Sequence, residues 1–359
     1  MNAHSSIYYK NSIVSQGRMG RMIEFIRSRA PLRIGMAGGG TDVDPYMTER
    51  GGCVFNTTIN KYASCILIPR DDTMMNIESH YYGRYKASLK NRPFKFDGNM
   101  NLIKSVANHF EIEKGFDMTI QSDVPSGSGL GGSSTMIAAM ISAITNWLEV
   151  ELSKHEMAQL SYVLERERIG LEGGKQDQYA TVFGGFNYID FKKEEVKVRQ
   201  AKIKDYVIHE LQSRSVLCFT KITRESATVI KSQRESFEKG YNEEALNASK
   251  SLAKKIGKSL EAGDIDNAAA ILDESWMYKK QFSDKVTNKQ IDKLYNVAKA
   301  NGAMGGKVSG AGGGGFMYFI CEYDKKPKVS EALKKAGAEL SEFMFEPNGV
   351  TSWRSTDIL

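Results

Sequence analysis

The sequence predicts a mixed helix-and-sheet fold divided between two domains, and three observations carry that expectation. At 359 residues, 41% of them hydrophobic and 26% charged, the chain has ordinary globular composition and enough length for two cores rather than one. From Phe25 onward, short β-rich runs alternate with glycine-rich turns and helical patterns. A charged stretch at 192–204 with little apolar periodicity then marks a boundary. The expected division is an extension at 1–26, an N-terminal domain at 27–200 and a C-terminal domain at 201–359.

Residues 1–26 mix polar residues with Tyr8 and Tyr9 and lack the apolar segment of a signal peptide, so a disordered extension is expected, with Met19 or Met22 as alternative starts. Strands are expected at 65–69 and 117–120. After the glycines of 127–132, the run 133–148 is apolar around most of its circumference and predicts a buried helix emerging directly from a glycine loop. Ser153 with Glu156 three residues on is a capping-box pattern that starts a helix over 154–169. Strand character returns at 183–191 and again at 215–220. Helical stretches follow at 225–239, 243–260, 265–282 and 289–301. A glycine-rich segment, 302–315, feeds a strand at 316–321, and a last helix and strand run through 329–345.

Composition narrows the function. The formal net charge is +6, from 49 Lys+Arg against 43 Asp+Glu, with no basic block interleaved with aromatics, so no nucleic-acid partner is expected. No stretch approaches the ~20 apolar residues of a membrane span. Cys53, Cys65, Cys218 and Cys321 never form CxxC, and the histidines show no HxxxH or HExxH spacing, which argues against a zinc site or a disulfide framework. A reducing, cytoplasmic location follows as the expectation.

The segment PSGSGLGGSS, 125–134, lies between the strand near Ile120 and the buried helix. Closely spaced glycines let backbone N–H groups approach phosphate oxygens, and a helix N-terminus adds partial positive charge. A tight turn alone needs neither so many glycines nor the two serines that follow. Pro125, Gly127, Ser128, Gly129, Leu130, Gly131, Gly132, Ser133 and Ser134 therefore read as a phosphate cradle. Gly127, Gly129 and Gly132 satisfy GxGxxG, but no acidic residue sits at the expected distance on a second strand, as a dinucleotide site requires. The GxxxxGK[ST] pattern is absent, so a nucleotide here is held without a P-loop lysine.

The pattern PxGxGLGxS in that segment resembles the phosphate loop of the galactokinase–mevalonate kinase (GHMP) family. Two further segments match in order: APLRIGMAGGGTD, 30–42, resembles the galactokinase pattern APxRxxxxGEHTD, and VSGAGGGG, 308–315, resembles TGAGxGG. The resemblance implies a two-domain α+β fold with the active site in the interdomain cleft, ATP as phosphate donor and Mg²⁺ as its metal. The stretch ERERIGLEGGKQDQ, 165–178, aligns with EHxFxGxxxGIMDQ, which implies Asp177 as catalytic base and Arg33 as the cation beside the reacting groups. It also implies Ser133 and Glu165 at the metal. Substrate contacts are implied for Gly40, Thr41 and Asp42, for Lys175, and for Gly310, Ala311 and Gly312. Gly39 and Gly40 replace the Glu and His of galactokinase, a departure that points away from galactose.

GGGTDVDPY at 38–46, TINKY at 58–62, GKQDQYA at 174–180 and the stretch beginning at Thr223 resemble a narrower branch of the family. That branch phosphorylates the anomeric hydroxyl of D-glycero-D-manno-heptose 7-phosphate, with L-fucokinases as neighbours, and its product feeds GDP-heptose and surface polysaccharide synthesis. The implied partner is a small sugar phosphate, whose remote phosphate would call on Lys61, Lys175, Arg70 or Arg84. A free fucose, a free N-acetylhexosamine, a non-catalytic sugar sensor and a homodimer all remain open at this stage.

Overall fold

The computed structural model describes residues 22–81, 83–98, 100–193, 195–223 and 225–358. The first half of the chain forms β1 (Met22–Ala37), α1 (Tyr46–Arg50), β2 (Gly52–Pro69), β3 (Met74–Ser79), β4 (Gly83–Ser88), α2 (Asn101–His109), β5 (Phe116–Ser122), α3 (Gly132–Leu148), α4 (Lys154–Tyr162), α5 (Gln176–Phe183), β6 (Phe186–Phe191) and β7 (Val196–Gln200). The second half adds α6 (Asp205–Arg214), β8 (Ser215–Phe219), α7 (Ser226–Glu238), α8 (Glu243–Ala262), α9 (Ile265–Lys279), α10 (Lys289–Ala300), β9 (Ala303–Val308), β10 (Phe316–Cys321), α11 (Lys326–Lys335), β11 (Glu339–Leu340) and β12 (Thr351–Ile358).

These strands make two sheets. The larger runs β12-β1-β2-β5-β3-β4, with β6 also paired to β2 and β7 to β6; the smaller runs β11-β8-β10-β9. The long strand β2 forks, since residues 52–57 pair with β6 while 63–69 pair with β5. α3 packs on one face of the larger sheet, and Ile137, Ala138, Ala139, Ile141, Ala143 and Ile144 are fully buried there, as their all-round apolarity requires. On the other face, Leu32, Ile34 and Phe55 meet Leu252, Ile256 and Leu272 of α8 and α9. β10 shows the period-two logic of a doubly covered strand. Phe316, Tyr318 and Ile320 enter that shared core, while Met317, Phe319 and Cys321 enter a third one with Leu294 and Leu333 of α10 and α11.

Three boundaries differ from expectation. β1 begins at Met22, inside the segment assigned to the extension, and residues 1–21 of that segment lie outside the described residues. The charged stretch 192–204 holds β7, which pairs with β6. Val196 and Val198 supply its only apolar periodicity, and one short half-covered edge strand is easily masked by charge. The chain also returns to the larger sheet through β12, which pairs antiparallel with β1, so the C-terminal segment does not belong wholly to the second half. All four cysteines are free and buried, and burial pushes their thiols up to about 12. Among the described residues, no helix is long and apolar enough to cross a membrane.

Candidate active site

β1 delivers Arg33 through a change of face. A bulge between Pro31 and Leu32 shifts its register against β2 by two residues, and across it the strand exchanges the cores that its two sides face. Before the bulge, Ile26 and Ala30 join the α3 core and Ser28 Oγ donates to the Ala139 carbonyl at 2.7 Å. After it, Leu32, Ile34 and Met36 point into the opposite core, and Arg33 faces the glycine loop. Its side chain is 3% exposed. Nε donates to Asp177 Oδ1 at 2.8 Å, and Nη2 lies 2.7 Å from the same oxygen. Nη1 donates to the Gly129 carbonyl at 2.6 Å and to Ser309 Oγ at 3.3 Å. One guanidinium thus fastens β1, the loop, α5 and the segment after β9.

The loop requires its glycines. Gly127, Gly129 and Gly131 have φ of 74, 79 and 81°, in the left-handed region. A β-carbon on Gly129 would lie 2.5 Å from the Ser309 carbonyl oxygen, and one on Gly131 would lie 3.2 Å from Asp177 Oδ2. The main chain therefore runs directly against the carboxylate, and α3 begins at Gly132 with its N-terminal N–H groups at the cavity wall. Glu165 stands behind Ser133. It is fully buried in a π-helical stretch, Val163–Arg168, that continues α4, a widened turn of the kind often found at functional sites. Ser133 Oγ donates to its Oε1 at 2.6 Å; Ser134 Oγ and Gln178 Nε2 each donate to Oε2 at 2.7 Å, and Arg166 Nη2 lies 3.4 Å from Oε1.

At the other end, Asp42 is 2% exposed and accepts the N–H groups of Gly40 at 3.0 Å and Gln176 at 3.1 Å. Burial, with the Asp177 carboxylate adding repulsion, pushes Asp42 above the usual carboxylate range. Nearby, Lys307 Nζ donates to the carbonyls of Gly35 at 2.8 Å and Val308 at 3.1 Å. Burial, reinforced by Lys279 and Arg33, holds its ammonium well below the ordinary lysine value.

Several of these groups border a cavity of about 710 Å³. Arg33, Gly40, Asp42, Asp177, Gly310 and Ala311 line it together with Gly127, Ser128, Gly129, Gly131, Gly132 and Ser133, and an apolar end is formed by Met100, Ile103, Met136, Met140 and Ile169. Several expected contacts are elsewhere. Thr41 is fully buried, with Oγ1 donating to the Gly38 and Cys53 carbonyls, so it braces the turn. Lys175 lies over the Tyr162 ring, 4.7 Å from its centroid, and Gly312 packs on Val286. Pro125, Leu130 and Ser134 are not on the wall; Leu130 offers its carbonyl to the Arg33 N–H at 3.2 Å. Of the cations expected to meet a remote phosphate, Arg70 pairs with Asp72 and Asp117, Arg84 with Glu78, and neither they nor Lys61 nor Lys175 lines the cavity.

Sequence reasoning missed Gln176, Gln233, Lys279 and Arg166, all on the wall, and Ser309 behind Arg33. Gln176, Arg166, Ser309 and Gln233 sit inside motifs already singled out, Gln233 at the end of the stretch that begins at Thr223; Lys279 is the last residue of α9, with nothing local to mark it.

Such an arrangement is equipped to hold phosphate oxygens on main-chain N–H groups and to move a proton at a carboxylate beside them. Family comparisons agree with that chemistry: the model for the GHMP kinases N terminal domain matches residues 101–185, and that for the GHMP kinases C terminal matches 256–339. The chain belongs to the GHMP kinase family. Within it, the chain is 40% identical over 335 residues to the D-glycero-alpha-D-manno-heptose 7-phosphate kinase of Campylobacter jejuni, covering 92% of this chain and 99% of that one. A D-glycero-D-manno-heptose 1-phosphate kinase structure from Bacteroides thetaiotaomicron superposes with a TM-score of 0.76 at 35% identity, over 91% of this chain and 98% of the other. Lactococcus lactis galactokinase shares the fold, with a TM-score of 0.72 at 20% identity over 94% and 96% of the two chains.

Proposed function

We propose that this sugar kinase of the GHMP family transfers the terminal phosphate of ATP to the anomeric hydroxyl of D-glycero-D-manno-heptose 7-phosphate, giving the 1,7-bisphosphate used for GDP-heptose and surface polysaccharide. The observation that carries the chemistry is the Arg33–Asp177 pair, 2.7 Å apart on the cavity wall against the glycine loop. The likeness to the Campylobacter protein, nearly end to end, carries the choice of substrate.

In this reading the sugar lies between Asp42 and Asp177. Both Arg33 contacts go to Oδ1 of Asp177, while Oδ2 lies beside Gly131, on the side where the donor phosphates belong. The anomeric hydroxyl gives its proton to this carboxylate as its oxygen bonds to the terminal phosphorus, and the bond from phosphorus to the bridging oxygen breaks to release ADP. Arg33 holds the carboxylate in place and supplies fixed positive charge where phosphoryl charge spreads. N–H groups of the 127–133 loop hold the phosphates, and the apolar end receives the base.

Ser133 and Glu165 offer hard oxygen donors to Mg²⁺, a set that fits an ion usually held by few protein ligands plus phosphate. Ser133 faces the cavity and Glu165 holds its hydroxyl from behind, so Ser133 would be the nearer ligand; when bound, the ion would neutralise phosphate charge.

The test is a comparison of kcat/KM, by ADP release, for heptose 7-phosphate, free heptose, mannose 6-phosphate, fucose and N-acetylhexosamines. The 7-phosphate should lead free heptose by a few orders of magnitude, as expected for two or three charge-assisted hydrogen bonds of about 1.5–3 kcal/mol each. A free sugar that outperforms every sugar phosphate would overturn the substrate while leaving the kinase.

A further inference from the structure

We infer that Lys279 is the specificity-determining residue that receives the substrate's own phosphate, from a slot that Gly39 opens for it; the inference rests on the sugar-phosphate reading above. Among the described residues, the cations lining the cavity are Arg33, Arg166 and Lys279. Two stand at the donor end, since Arg33 binds the Gly129 carbonyl and Arg166 Nη2 donates to Ser134 Oγ. Lys279, the last residue of α9, stands at the other. Its Nζ lies 3.5 Å from the Gly39 carbonyl oxygen, and the residue is 3% exposed.

The glycine beside it leaves space at the ammonium, since a β-carbon would fit there at ordinary contact but a longer side chain would point at the lysine. Gly38 and Gly40 have φ of 82 and 103°, but Gly39 has no positive φ, so its backbone does not demand glycine. A β-carbon there would lie 3.4 Å from Gln176 Nε2 and 3.8 Å from Lys279 Nζ. Any longer side chain at 39 would contest the ammonium position. Gly39 is also where galactokinase carries an acidic residue, so the exchange replaces a fixed negative group with access to a positive one.

The charge balance points the same way. Arg33 pairs with Asp177, Lys279 and Lys307 reach the carbonyls of Gly39 and Gly35, and the positive charge of Lys279 and Arg33 is part of what depresses Lys307. A buried ammonium at the sugar end is poorly matched to a neutral hydroxyl and well matched to a phosphate dianion. With the reacting hydroxyl at Asp177, a phosphate on the opposite end of the sugar is the anion that this position would meet.

The experiment measures kcat/KM of the full chain for heptose 7-phosphate and for unphosphorylated heptose in wild type, Lys279→Gln and Gly39→Glu. The wild type should favour the phosphorylated sugar. Lys279→Gln should shrink that preference by about 10- to 100-fold, chiefly through KM for the phosphorylated sugar. Gly39→Glu, which brings a carboxylate to the same ammonium without altering Lys279, should shrink it in the same direction, and it keeps the question open to measurement if Lys279→Gln misfolds. An unchanged preference in a folded variant, or parallel losses on both sugars, would overturn the role of Lys279 alone. A wild type without preference for the phosphorylated sugar would overturn the substrate reading and this assignment with it.

Discussion

From Ser126 to Ser133 the cavity wall is largely main chain from one contiguous segment, whereas its opposite end is built from the side chains of Asp42, Gln176, Gln233 and Lys279, drawn from a turn and three separate helices. The first kind of wall is encoded locally. Glycines at fixed spacing dictate left-handed φ values, and a helix start supplies the N–H groups. The second kind is encoded by topology, because residues 42, 176, 233 and 279 are far apart in the chain and meet through the packing of separate elements. One end is therefore suited to phosphates, which every nucleotide shares, and the other to whatever distinguishes one acceptor from the next.

Asp177 belongs to both ends, and its loss should have the largest effect. Asp177→Asn keeps the shape but cannot take the hydroxyl proton, so kcat should fall by about 10²-fold or more with an unchanged circular dichroism spectrum. Near-normal turnover with normal substrate affinity would remove it from the chemistry.

A backbone-made wall should be intolerant of a single methyl group. In Gly129→Ala, a residue with φ of 79° gains a β-carbon 2.5 Å from the Ser309 carbonyl oxygen. Left-handed backbone alone costs such a residue about 1–2 kcal/mol, so KM for ATP should rise about tenfold with the acceptor KM less affected. Equal effects on both substrates in steady-state kinetics would blur the distinction between the two ends.

The smallest effect tests the brace between them, Lys307, whose amine bonds the carbonyls of Gly35 and Val308. Its folded-state value lies below the ordinary 10.5, which the unfolded chain retains. Between those two values the unfolded chain binds more protons, so this group makes stability rise with pH. Relative to Lys307→Met, the wild-type Tm should climb as pH rises from 7 towards 10. A flat difference across a pH series of thermal melts would show that the buried amine is not titrating differently in the fold.

The same contrast explains what the sequence made legible. The loop, α3, the capping box at Ser153 and the strand β10 were readable because each follows from local spacing, and the resemblance of short motifs located Arg33, Asp177 and Glu165 in one neighbourhood. Lys279 was not readable: its role depends on an absent side chain at Gly39, 240 residues away in the chain. Thr41 and Lys175 stand off the cavity wall for the converse reason, since a polar residue inside a binding motif can face inward to hold the motif's own backbone or stack on a neighbouring ring. β7 and β12 escaped because edge strands carry polar sequences that resemble loops.

The pairing of β12 with β1 ties the order of synthesis to the order of assembly. Of the described strands, β1 is translated first, but its outer edge stays open until β12 is made, more than 300 residues later. Until then a nascent chain carries an unsealed row of main-chain donors and acceptors, the condition in which strand edges recruit wrong partners. Truncation before Thr351 would leave that edge permanently uncovered, beside the strand that presents Arg33.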